Sequence, residues 1–149
     1  MRICFFGHRD FLITDELEKK LISVLYENLH EDCEFFFGGY GVFDNLAYKC
    51  VSRLTSCYKI QKTFVTPYIT ESYLKNQVEY DRYKYDQVVY PEIENVPYKF
   101  AISSRNKWMV EQSDLVICYI TRSHGGAYQA VRHAKNIQKQ IIWLGNITK

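Results

Sequence analysis

The sequence predicts an α/β fold, a Rossmann-like three-layer α/β/α arrangement on a mainly parallel five-stranded sheet. Three observations carry this expectation. Five short apolar runs recur along the chain, at residues 3–6, 34–37, 63–66, 115–120 and 141–144. They are continuous and rich in Ile, Val and Phe rather than alternating with polar residues, as strands covered on both faces read. Helix-patterned stretches lie between them, and two of these open on glycine pairs, Gly38-Gly39 and Gly125-Gly126.

Each element follows from its residues. Between the first two runs, residues 14–30 set Leu17, Leu21, Val24, Leu25 and Leu29 on one helical stripe. Asp15, Glu16 and Glu18 crowd its first turn, where the helix dipole favours acids. After the turn Gly38-Gly39-Tyr40-Gly41, the residues Phe43, Leu46, Ala47, Cys50, Val51 and Leu54 repeat the helical spacing. After the turn Thr121-Arg122-Ser123-His124-Gly125-Gly126, so do Ala127, Ala130, Val131, Ala134 and Ile137. Residues 67–100 break the rhythm with Tyr68, Tyr73, Tyr80, Tyr83, Tyr85, Tyr90 and Tyr98 among six acids, and with Pro91 and Pro97 in the second half. A segment this long inside a compact domain reads as functional, and its aromatics argue against disorder. We expect a helix and then an irregular loop lying over the ligand site or a partner subunit. The chain is expected to be a single domain over 1–149 with this Tyr-rich insertion at about 67–100.

Composition bounds the function. The 149 residues are 47% hydrophobic and 24% charged, ordinary for a folded domain, and no apolar stretch approaches the roughly 20 residues that span a bilayer. A net charge of +2, with Lys and Arg scattered, argues against a nucleic-acid partner. Met1-Arg2 leads into a run broken early by Gly7-His8-Arg9, which does not resemble a signal peptide, and the odd cysteine count suits buried thiols in a reducing cytoplasm. His8, His30, His124 and His133 show no helix-compatible pairing, and the cysteines lack zinc spacings, so neither metal nor other cofactor is expected. No Gly-x-Ser-x-Gly elbow occurs.

In open parallel sheets ligands bind beyond the carboxyl ends of strands, where the strand order reverses. Here that crevice is expected between the first and fourth runs, where Gly7, His8 and Arg9 meet Thr121, Ser123, Gly125, Gly126 and Ala127. The turn carrying Gly38, Gly39 and Gly41 sits alongside. Glycine lets a ligand approach the main chain, and a helix starting there aims free N–H groups at an anion. Arg9 either clamps a phosphate or pairs with Asp10. His8 reads as a polar strand end in preference to a general acid/base. Asp44 either holds a ribose hydroxyl or complements the helix dipole. Of Ser103-Ser104-Arg105-Asn106, a serine is expected as a helix N-cap.

At these residues the chain resembles the SLOG superfamily of Rossmann-like domains, which joins the DNA-processing Smf/DprA proteins and the LOG phosphoribohydrolases. It looks closest to small single-domain members from bacteria and their prophages. Gly39-Tyr40-Gly41-Val42-Phe43-Asp44 resembles the DprA glycine segment, Ser104-Arg105-Asn106-Lys107 the helix shared by both branches, and Arg122-Ser123-His124-Gly125-Gly126-Ala127 the terminal glycine motif. LOG hydrolases carry glutamates after that motif; here Ala127-Tyr128-Gln129-Ala130-Val131-Arg132 holds no acid. The resemblance therefore implies a domain that senses or sequesters a nucleotide-derived small molecule, with no catalytic residues assigned. Arg105 and Asn106 join the glycine turns as ligand contacts, and a tyrosine of 67–100 or Trp108 stacks on a base. The alternatives are LOG-type hydrolysis of nucleoside monophosphates, resting on Arg105 and Asp44, and DprA-like binding of single-stranded DNA. A homo-oligomer is expected.

Overall fold

The computed structural model describes residues 1–73, 75 and 84–145. Its centre is a six-stranded sheet in which every neighbouring pair is parallel. The strands are β1 (Arg2–Gly7), β2 (Cys33–Phe37), β3 (Ile60–Val65), β4 (Gln87–Val89), β5 (Leu115–Tyr119) and β6 (Gln140–Trp143), in the order β4-β3-β2-β1-β5-β6. The helices are α1 (Asp15–Asn28), α2 (Val42–Ser52), the single turn α3 (Glu71–Tyr73), α4 (Ala101–Gln112) and α5 (Gly126–Asn136).

Successive side chains of a strand point to opposite faces, so each central strand feeds two cores. Phe5, Phe35 and Phe37 pack against Leu17, Leu21, Phe43 and Leu46 of α1 and α2. Cys4, Phe6 and Phe36 pack against Met109, Val110, Ala130 and Val131 of α4 and α5. This double burial is why the strands read as unbroken apolar runs. Burial also lifts the Cys4 and Cys118 thiols, each to about 12. α1 starts where its acids predict, with Thr14 as N-cap accepting from the Leu17 N–H at 3.2 Å.

Two expectations are corrected. The sheet has six strands rather than five, because β4 lies inside the segment read as an insertion. It pairs with β3 in the register Thr63↔Gln87 and Val65↔Val89. At three residues on an edge it is too short to show a pattern. Just before it, Tyr85 is buried among Phe37, Phe64 and Tyr48, so part of the Tyr-rich segment is core. Tyr80 and Tyr83 lie outside the described residues. The expected serine cap is also absent. Phe100 is the N-cap of α4, and Ser103 lies inside the helix, its hydroxyl donating to the Phe100 carbonyl at 3.1 Å.

Candidate anion-binding crevice

The strand order reverses between β1 and β5, since β2, β3 and β4 lie to one side of β1 while β5 and β6 lie to the other. Beyond the carboxyl ends of these strands is a crevice of about 540 Å³. Three turns meet there, as the sequence implied. Gly7 ends β1, and His8 and Arg9 follow it; Gly38, Tyr40 and Asp44 follow β2; Arg122, His124, Gly125, Gly126 and Ala127 follow β5. α4 closes the fourth side with Ile102, Arg105, Asn106 and Met109. Of the residues expected to bind ligand, Gly39, Gly41, Thr121 and Ser123 do not line it, whereas Tyr40, Arg122 and His124 do. Those three stood inside the turns already singled out, so position in the turn was their only signal.

What the turns do differs from expectation. The Gly38 and Gly39 amides do not wait for a phosphate, because the Asp44 carboxylate occupies them. Gly38 N–H donates to Oδ1 at 2.9 Å and Gly39 N–H to Oδ2 at 3.0 Å. Gly39 takes φ +76°, so both N–H groups converge on one point, a small anion nest filled from within. Burial pushes the Asp44 carboxyl up to about 6, against the two amides and the Arg105 charge that favour ionisation. Each Asp44 oxygen accepts one of these amides, and the residue also lines the crevice.

His8 plays the same part at the second turn. Buried at 5% exposure, its Nε2 accepts from the Thr121 N–H at 2.8 Å and the Arg122 N–H at 3.2 Å. Two N–H donors on Nε2 require the neutral tautomer with the proton on Nδ1. Burial, then the charges of Arg122 and His124, lower its pKa. The imidazole therefore ties β1 to the start of the β5 turn, as the polar strand end that the sequence suggested.

Arg105 is the one buried arginine or lysine lining the crevice among the described residues, at 6% exposure. Nη1 donates to the Val65 carbonyl at 2.7 Å and the Gly38 carbonyl at 3.1 Å, and Nε donates to Asn106 Oδ1 at 2.9 Å. Asn106 thus orients the arginine. Nη2 has no hydrogen-bond partner among the described residues. Burial lowers the Arg105 pKa, opposed by Asp44.

The amino end of α5 is left open. Its N-cap is Gly125 with φ +97°, no side chain caps it, and a Cβ at Gly126 would meet nothing within 4 Å. The first N–H groups of a helix have no partner within it, and they carry the positive end of the dipole. Arg9, Arg105 and Arg122 surround the crevice, and Asp44 is its only lining carboxylate among the described residues. Trp108 does not contribute a stacking face here. It packs on Phe36 at 5.6 Å between ring centroids, within the α4–α5 core. Among the described residues no cluster of three His, Cys, Asp or Glu side chains could hold a metal, and no helix is long and apolar enough to cross a membrane.

No protein-family model and no curated protein sequence matches this chain. Solved structures that share its fold include two DNA processing proteins. DNA processing protein A from Helicobacter pylori, described for its single-stranded DNA binding mode, superposes with a TM-score of 0.65 at 17% identity, over 96% of this chain and 64% of that one. DNA processing protein A from Streptococcus pneumoniae gives 0.65 at 15% identity, over 95% of this chain and 49% of that one. The chain thus spans less than two thirds of each of these proteins. The Helicobacter protein binds single-stranded DNA, which overturns the expectation against a nucleic-acid partner. That expectation used net charge, whereas three arginines converge on one crevice in a nearly neutral chain. The parallel sheet flanked by helices is the Rossmann-like fold of the DprA proteins.

Proposed function

We propose that the crevice binds single-stranded nucleic acid, seating a backbone phosphate on the open amino end of α5 among Arg9, Arg105 and Arg122. The observation that carries this reading is Arg105, a buried guanidinium that lines the crevice and keeps Nη2 unbonded. The guanidinium lines the crevice, where a phosphate oxygen would take a charge-assisted bond from such a donor. The amides of Gly38 and Gly39 and of Thr121 and Arg122 are taken by Asp44 and His8. One anion position then remains, which suits the single phosphates of a phosphodiester chain. The fold shared with a single-stranded DNA-binding protein supports the same reading.

Fluorescence anisotropy of a labelled single-stranded oligonucleotide across a salt series tests it. Neutralising the phosphate seated there gives a slope of log K against log salt of about −0.7. Gly126→Asp, which sets a carboxylate in the phosphate position, abolishes binding while leaving the fold intact. An affinity indifferent to salt, or unchanged in that variant, refutes the assignment. A second reading, retention of a free nucleotide, is favoured by the size of the crevice, about 540 Å³, within the usual range of small-molecule pockets. Tight binding of AMP with no oligonucleotide binding would establish it instead.

A further inference from the structure

Next to the crevice stands a pair of tyrosines that neither the core nor the anion site uses. The Tyr68 and Tyr98 rings stack with centroids 4.5 Å apart and planes 20° apart. Tyr68 is the inner member. Tyr73 meets it edge-on at 5.5 Å, and Thr66 pins its backbone, its hydroxyl donating to the Tyr68 carbonyl at 3.0 Å. Tyr98 is the outer member and opens a one-turn 3₁₀ helix, Tyr98–Phe100, that leads into α4. Pro97 sets the start of that turn with φ −53°, and its carbonyl accepts from the Phe100 N–H at 2.8 Å. Both rings are therefore held on locally bonded turns. Tyr98 is 69% exposed, so the face turned away from Tyr68 is open to solvent.

Two residues join this pair to the crevice. Ile102 lines the crevice and is 48% exposed, one turn after Tyr98. The Arg105 guanidinium interacts electrostatically with Tyr68 and Tyr73, which places the inner tyrosine beside the crevice cation. Lys99 adds a second cation at the same edge, its Nζ 5.0 Å from the Phe100 ring centroid. A flat open aromatic face, a backing ring and two nearby cations match a nucleobase tethered to a phosphate. Ile69, Phe100 and Ile102 are also exposed at this edge, but a stable protein interface buries about 800 Å² per partner, more than these few side chains offer.

We infer that the outer face of Tyr98 is a base-stacking subsite, on which a base of the strand held in the crevice extends the Tyr68–Tyr98 stack. This rests on the reading of the crevice as a nucleic-acid site. Stacking uses the π face that every base has, so the subsite adds affinity without sequence preference.

The test compares wild type, Tyr98→Ala, Tyr98→Phe and Gly126→Asp, with Tyr58→Ala as a control at the opposite rim of the sheet. Each is titrated with an oligonucleotide and with an abasic strand of equal length. Tyr98→Ala is expected to weaken oligonucleotide binding about tenfold, as loss of one stacked base does. Tyr98→Phe and Tyr58→Ala stay within twofold of wild type. The abasic strand binds wild type and Tyr98→Ala equally. If Tyr98→Ala binds the oligonucleotide as wild type does while Gly126→Asp does not, the subsite is wrong and the crevice reading stands. If wild type binds neither strand, both fall. If Tyr98→Ala instead turns a dimer into a monomer on size exclusion, with affinity unchanged, a second copy covers the ring and the inference is overturned.

Discussion

Asp44 and Arg105 hold the same residue through its two backbone groups. The Asp44 carboxylate accepts from the Gly38 N–H at 2.9 Å, and Arg105 Nη1 donates to the Gly38 carbonyl at 3.1 Å. The first glycine turn is thereby fixed between a buried anion and a buried cation that attract each other. It acts as a wall that shapes the crevice and positions Arg105.

Removing Asp44 leaves two amides without an acceptor and a buried guanidinium without its counter-charge. Asp44→Ala is expected to destabilise the fold by about 2–4 kcal/mol in urea denaturation. A loss below about 0.5 kcal/mol, the range of ordinary surface substitutions, would show that the turn holds its shape unaided.

The same carboxyl gives a pH signature. Burial raises it from the ordinary 3.8 to about 6, so between these values the folded chain binds the proton more tightly than the unfolded chain. Stability from this group is greatest below the lower value and is lost as pH rises through the upper one. Wild type should lose stability relative to Asp44→Asn by up to about 1.4 kcal/mol per pH unit in that window. A difference that stays flat with pH contradicts the burial of Asp44.

His8 shifts the opposite way. Its pKa is lowered from 6.5, so the neutral ring is favoured in the fold. Its contribution is complete above 6.5 and disappears as pH falls through the lowered value, when Nε2 gains a proton and ceases to accept. Amide exchange at Thr121 and Arg122, corrected for intrinsic rates, should accelerate on acidification before exchange in β1 does. Simultaneous loss of protection in both would mean that His8 does not anchor the turn.

The glycines divide into positions that a side chain would crowd and positions that stand in open space. A Cβ at Gly7 would lie 2.2 Å from the Phe43 ring, and one at Gly39 would lie 2.1 Å from Phe64 on a backbone at φ +76°. Gly7→Ala and Gly39→Ala should each cost more than about 2 kcal/mol in thermal or urea unfolding. Gly126→Asp should stay within about 0.5 kcal/mol of wild type, since its Cβ meets nothing and an acid suits a helix start. Unfolding of Gly126→Asp would show that the amino end of α5 is structural after all.

The sequence by itself determined the layered fold and the rim at which the crevice opens. Strands buried on both faces are apolar at nearly every position, which made β1, β2 and β5 legible as apolar runs. Helices packed on one face must repeat their apolar residues every third or fourth position, which made α1, α2 and α5 legible. The three converging turns followed, because glycines at strand ends mark where the chain leaves the sheet. Only the tertiary structure decided how those turns are used. Asp44 is six residues from Gly38, and His8 is 113 residues from Thr121. Whether a carboxylate or an imidazole fills a nest of amides depends on how separate strands are laid side by side. The strand β4 and the open ring of Tyr98 were hidden for the same reason. Three edge residues become a strand only when Thr63, Phe64 and Val65 of β3 offer a register, and a tyrosine is core or surface according to what packs over it.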